Sequence, residues 1–253
     1  MLAVSANSHA LDLRMAAELM YFDYEETDIF GSTLNQETGW IPGFTVAASQ
    51  PYHSIRNTVE FSLFGGTVDY DGRTQAGVPH QTTTEEIIYR ILYLFSWSPE
   101  SSEGDFYGKA YWQQWDRDIQ PANGVSGLFE RYQWWTAEAG VHVPFIKDEK
   151  QQLLLELGVL ATNSGTINVN LTGAGYGVQT LELGNGLGFS AALLYEMKLA
   201  SNNRVRFGAM FKNWEFGRSN SKTISNGTST ITITEPDSTT AQTTLSASYI
   251  HRF

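Results

Sequence analysis

Ten stretches of this sequence alternate apolar and polar side chains with a period of two, and the rhythm runs along almost the whole chain. The clearest puts Ile87, Tyr89, Ile91, Tyr93, Phe95 and Trp97 on one face, with Arg90 and Ser96 on the other. An extended backbone sends successive side chains to opposite sides, so this period marks a β-strand with two unlike faces. In the first stretch Leu11, Leu13, Met15, Ala17, Leu19 and Tyr21 oppose Asp12, Arg14, Ala16 and Glu18. In the sixth, Trp135, Ala137, Ala139, Val141, Val143 and Phe145 oppose Thr136, Glu138, Gly140 and His142. The last sets Leu245, Ala247, Tyr249, His251 and Phe253 against Gln242, Thr244, Ser246, Ser248 and Arg252. The remaining six occupy residues 40–49, 58–63, 106–113, 153–159, 187–198 and 204–212.

The connections alternate in length. Short ones lie at 50–53, 99–105, 147–150 and 201–203, and long polar ones at 23–38, 70–84, 118–130, 163–177 and 217–240. Short turns at one end and long loops at the other describe an up-and-down meander. No composition shift marks a domain boundary, so residues 11–253 read as one domain. "STITITEP", inside the last long connection, reads as an extra hairpin above the main body.

A soluble sandwich also alternates, with its apolar face buried. Two features argue for the opposite arrangement. The polar faces carry small residues and isolated charges (Arg14, Glu18, Glu60, Arg90, Lys109, Glu138, Glu156, Glu196, Lys198, Arg206) rather than the Lys-rich surface that water favours. The apolar faces carry aromatics at both ends: Tyr89 and Trp97 bracket one strand, Trp135 and Phe145 another. Ten residues at ~3.3 Å each, tilted as barrel strands are, cover roughly 25 Å, the height of a membrane barrel's apolar band. Hydrophobic residues make up 42% of the chain, and none of its runs approaches the ~20 apolar residues of a membrane helix. The expected fold is therefore all-β: a ten-stranded antiparallel up-and-down transmembrane β-barrel with its apolar face toward lipid. Closure is obligatory, because an open edge would leave backbone groups unpaired in hydrocarbon.

These segments, and the final Phe253 on an outward face with Tyr249, Ala247 and Leu245, resemble the bacterial outer-membrane β-barrel class. Members of that class commonly end on Phe in the closing strand; His251 departs from the apolar residue usual at its position. The resemblance implies residence in the bacterial outer membrane and contact with its lipids and lipopolysaccharide. It also implies recognition of the C-terminal strand by the barrel-assembly machinery, and both termini in the periplasm. Residues 1–10, "MLAVSANSHA", are similar to the tail of a signal peptide, with Ser8 and Ala10 at the −3 and −1 positions of a cleavage site.

Ten strands is also the count of omptins, the outer-membrane proteases. "GGTVDYDG" supplies Asp69 and Asp71 where that family carries an Asp-x-Asp pair. The fourth long connection, however, lacks the Asp-x-His pair and so lacks the base that would activate water.

Other constellations point to no chemistry. Glu138 and His142 share a face but stand roughly 13 Å apart along a strand, so a satisfied lumen histidine is the expectation. The acidic run at 21–28 lacks a spaced oxygen-ligand loop for Ca²⁺ and reads as a solvated loop. "GNGLG" at 184–188 lacks the strand–turn–helix setting of a phosphate loop and reads as a site of bends or tight packing. Trp134 and Trp135, being adjacent, face opposite sides. With no cysteine and a net charge of −11, thiolate chemistry is excluded and nucleic-acid binding by bulk charge is disfavoured. No catalytic residue, cofactor or metal ligand is assigned.

A ten-stranded barrel is only slightly wider than the size that side chains fill. Arg14, Arg56, Arg90, Lys109, Arg204, Arg206, Lys212 and Arg252 face inward with Glu18, Glu60, Glu138, Glu156 and Glu196. Their near-balance implies mutual pairing, since isolated buried charges are costly. The expected function is non-enzymatic, with a side-chain-filled polar lumen and long extracellular loops in an envelope-structural or surface-interaction role. The alternatives are a narrow small-solute channel and a lumen or loop-rim hydrolase, omptin-like or lipid-modifying.

Overall fold

A computed structural model describes residues 10–74, 77–100 and 104–253. The signal-peptide reading rests on residues of which 1–9 lie outside the described ones. The strands are β1 (Asp12–Thr27), β2 (Thr33–Tyr52), β3 (Ile55–Arg73), β4 (Pro79–Trp97), β5 (Asp105–Ile119), β6 (Leu128–Lys147) and β7 (Gln151–Thr162). They continue with β8 (Thr166–Leu171), β9 (Gly177–Glu182), β10 (Gly186–Ala200), β11 (Asn203–Phe216), β12 (Lys222–Ser225), β13 (Thr230–Ile233) and β14 (Asp237–Arg252).

Ten of them close a ring in the order β1-β2-β3-β4-β5-β6-β7-β10-β11-β14, every neighbour antiparallel. At the seam β1 and β14 pair without a break from Asp12↔Arg252 to Thr27↔Asp237. The Phe253 N–H donates to the Leu11 carbonyl at 2.9 Å, extending the ladder one residue further. The fold is the expected barrel, and the start of β1 and the end of β14 lie together at one end, here the lower.

The outer face follows the alternation. Leu13, Met15, Leu19, Trp40, Phe44, Val59, Ile87, Ile91, Tyr93, Trp97, Phe106, Trp135 and Tyr249 are all exposed on it. Such a ring of exposed apolar side chains suits hydrocarbon and not water.

The expected long loops are largely wrong. Strands run through most of residues 23–38 and 70–84, leaving connections only at 28–32 and 74–78. The acidic run at 21–28 is accordingly not a solvated loop. Residues 21–27 are the upper part of β1, with Tyr24 and Glu26 buried inside the barrel, and Asp28 lies in the turn that follows. The physical reason is that the wall continues above the apolar band, where its outer face meets water and carries Asp23, Glu25, Asp69, Asp71, Glu85 and Asp116.

Two hairpins close over the upper end. β8–β9 continues the β7–β10 hairpin beyond interruptions at 163–165 and 183–185, with β8 pairing to the top of β6. β12–β13 is a separate two-stranded sheet, and it contains the hairpin expected from "STITITEP". The tips of the two touch: the Tyr176 and Ser229 hydroxyls lie 2.6 Å apart, and Asn226 Nδ2 donates to the Ala174 carbonyl at 3.3 Å.

Gly186 and Gly188, in the 184–188 glycine run, show why side chains are absent there. A Cβ on Gly186 would run into the Glu215 carbonyl, and one on Gly188 into that of Asn213. β10 and β11 approach too closely for anything larger, as the tight-packing reading expected.

Candidate functional site

Inward-facing side chains fill the barrel in three tiers. The lowest is cationic. Asp12 receives Arg252 at 2.7 Å, Arg204 at 2.8 Å and Arg56 at 3.1 Å. Glu196 takes Arg204 at 2.8 Å and Arg206 at 2.6 Å, and Arg14 pairs with Glu60. Just above, Glu138 accepts from Lys109 at 3.0 Å, Ser190 at 2.8 Å and Tyr107 at 3.0 Å, with Lys212 at 3.7 Å. Lys109 also binds Glu156. Lys212 Nζ reaches across the lumen to the Tyr111 hydroxyl at 3.1 Å, and Arg90 reaches Gln242 at 3.4 Å, in each case between strands that are not neighbours; Arg90 also donates to Gln113 of the adjacent β5 at 3.0 Å.

The middle tier corrects the expectation of a wholly polar lumen. Met20, Phe22, Ile41, Phe64, Val68, Ile88, Trp115, Trp134, Leu160 and Trp214 form one buried apolar cluster inside the ring. The cap joins it through Ile167, Leu181, Leu183 and Ile233. Trp134 and Trp135 do face opposite sides, at 3% and 56% exposure. Trp134 packs edge-on against Phe216 at 5.2 Å, so it belongs to this belt.

The upper tier is acidic. Arg117, 1% exposed, donates to Glu130 at 2.7 Å, Glu37 at 2.9 Å and Glu26 at 3.0 Å. Its guanidinium lies over the Tyr24 ring at 4.8 Å. Trp115 Nε1 donates to Glu86, Thr84 donates to Glu37 at 2.7 Å, and the Tyr24 hydroxyl donates to Glu26 at 2.9 Å. From the cap, Glu235 accepts the Tyr132 hydroxyl at 2.6 Å. Five buried carboxylates thus surround one guanidinium.

This tier was not singled out from the sequence, although parity holds its signal. Arg117 continues the inward series Lys109, Tyr111, Gln113 and Trp115; Glu130 continues that of Glu138, and Glu26 that of Glu18. Glu235, in a connection, has no such marker.

The residues weighed for chemistry stand apart. Asp69 and Asp71 are exposed on the outer wall, in a shallow cavity of about 290 Å³ with Gln36, Thr38, Gln81 and Thr82. His142 lies inside near the lower end, 2.9 Å from Glu156 and 3.9 Å from Asp105. It is bonded to Glu156 rather than Glu138, in keeping with a satisfied lumen histidine. Among the described residues, no three His, Asp or Glu side chains are grouped to hold a metal ion.

No protein-family model matches the sequence, and no curated protein matches it significantly. Solved structures do. The outer membrane protease OmpT from Escherichia coli superposes with a TM-score of 0.58 at 9% identity, covering 100% of this chain and 99% of that one. The translocator domain of the autotransporter NalP from Neisseria meningitidis gives 0.51 at 8% identity, covering 95% and 88%. The fold is that of an outer-membrane β-barrel. The closed ring, the apolar outer band and these neighbours point to the bacterial outer membrane. At such identities the likeness concerns the fold alone, and protease activity does not come with it.

Proposed function

We propose that this chain is a non-enzymatic, non-conducting barrel of the outer membrane, with an envelope-structural or surface-interaction role carried by its upper end. In this reading the termini face the periplasm and the two hairpins face outward. Lipid and lipopolysaccharide surround the wall, and the assembly machinery reads β14. The observation that carries the reading is the wall-to-wall filling of the lumen. Lys212 meets Tyr111 and Arg90 meets Gln242 across the interior, with a buried apolar cluster above them. A chain of water finds few polar partners along such a cluster.

The test is steady conductance of the purified protein in planar bilayers, expected to be absent. Large, stable unitary currents would overturn the proposal in favour of a channel. Hydrolysis of a peptide or phospholipid that disappears in Asp69→Asn, Asp71→Asn or His142→Ala would overturn it in favour of an enzyme.

A further inference from the structure

We infer that Glu235 is a proton-binding latch: the β12–β13 hairpin closes the upper mouth while this carboxyl carries a proton, and is released when the proton leaves. The geometry makes the case. Glu235 reaches the interior from the cap, next to Pro236 and beyond the end of β13. Its backbone is fixed by Ser219, whose hydroxyl accepts the Glu235 N–H at 2.7 Å and whose N–H donates to the Glu235 carbonyl at 3.0 Å. The carboxyl enters a tier already holding Glu26 from β1, Glu37 from β2, Glu86 from β4 and Glu130 from β6, against Arg117 alone from β5. The phenols Tyr24, Tyr70 and Tyr132 complete its titratable surroundings. Arg218, at the hairpin's base, is engaged by Asp237 at 3.3 Å.

Arg117 is committed to three carboxylates. Glu235 itself accepts a hydrogen bond from a hydroxyl, and that bond favours the anion less than burial and the acidic neighbours favour the neutral acid. Burial, with Glu26 and Glu130 close by, holds the Glu235 carboxyl well above the usual carboxylate range. Docking therefore takes up a proton. Its free energy is fully present below the ordinary glutamate value, about 4.3. It is lost as pH rises toward the docked value, the docked-to-released ratio falling about tenfold per pH unit within that window. β8–β9 is held in the wall by β6 and supplies the fixed edge against which β12–β13 closes.

The inference goes beyond the filled-lumen reading, and its test is separate: hairpin position is read as a distance and lumen filling as a current. The chain has no cysteine, so Thr228→Cys at the hairpin turn and Gln81→Cys on β4 give a unique spin-label pair on the full chain in lipid. At pH 5 a single short distance is expected. By pH 10 a longer population should have grown at least tenfold. With Glu235→Gln, which keeps an acceptor for Tyr132 and cannot ionise, the short distance should persist at both pH values. Unchanged wild-type distances between pH 5 and pH 10 would overturn the latch, as would a Glu235→Gln variant that opens like the wild type. Should that variant fail to insert, the two-pH comparison of the wild type decides alone.

Discussion

Lys212 on β11 and Tyr111 on β5 stand four places apart around the ten-strand ring, yet the ammonium reaches the phenol oxygen at 3.1 Å. The same ammonium lies over the Tyr111 ring, 4.5 Å from its centre, and 3.7 Å from Glu138. One side chain therefore ties two distant parts of the wall. Replacing it by Met keeps the bulk and removes the charge-assisted bond, while Glu138 retains Lys109. Lys212→Met should cost about 1–3 kcal/mol in reversible denaturant unfolding from lipid. No loss would mean that the crossing contact contributes nothing.

Arg117 is the harder residue to replace. Its removal strands Glu26, Glu37 and Glu130 without a cation, and breaking a buried pair in this way costs roughly 3–5 kcal/mol. Arg117→Met should be the most destabilising single change in the lumen. Arg117→Lys should fall between it and the wild type, because an ammonium cannot match the guanidinium's fork of donors. Unfolding midpoints of the three proteins in one buffer provide the check.

Glycine positions separate steric need from habit. Gly186→Ala drives a methyl into the Glu215 carbonyl, whereas at Gly108 the nearest backbone atom to a new Cβ is the Glu138 carbonyl, 4.0 Å away. Gly186→Ala should destabilise by about 1–3 kcal/mol, and Gly108→Ala should be neutral or slightly stabilising. Thermal unfolding of the pair would show it; equal midpoints would contradict the close β10–β11 approach.

Deleting Phe253 removes the last seam bond to Leu11 and a ring that meets His251 edge-on at 4.5 Å. It should reduce the folded membrane fraction several-fold more than Ser246→Ala, which changes an inward position of the same strand. Heat-modified gel mobility of membrane fractions would show whether the two differ.

The barrel was legible where its two faces meet different media. Along Ile87 to Trp97 lipid selects one parity and the interior the other, so the period stands out. It fades at Phe22, Ile88 and Trp134, where the inward residues are apolar too and both faces of the wall look alike. Above the band it vanishes for the opposite reason. Asp23 and Asp71 face water while Glu26 and Glu37 face the interior, so strand there resembles a polar loop. The acidic tier fell in that blind stretch, and its member from the cap obeys no strand parity.

The same tier bears on how the protein enters its membrane. In the proposed orientation Glu26, Glu37, Glu86, Arg117 and Glu130 all travel through hydrocarbon to reach the far side. A lone charged side chain at the bilayer midplane costs a barrel roughly 2–4 kcal/mol for Arg or Lys, and less for an acid. Arg117 comes from β5, and its carboxylate partners from β1, β2 and β6. Threading hairpins one at a time would separate that cation from its counterions midway. Crossing as a nearly rolled sheet keeps them together, so translocation is expected to be concerted and late.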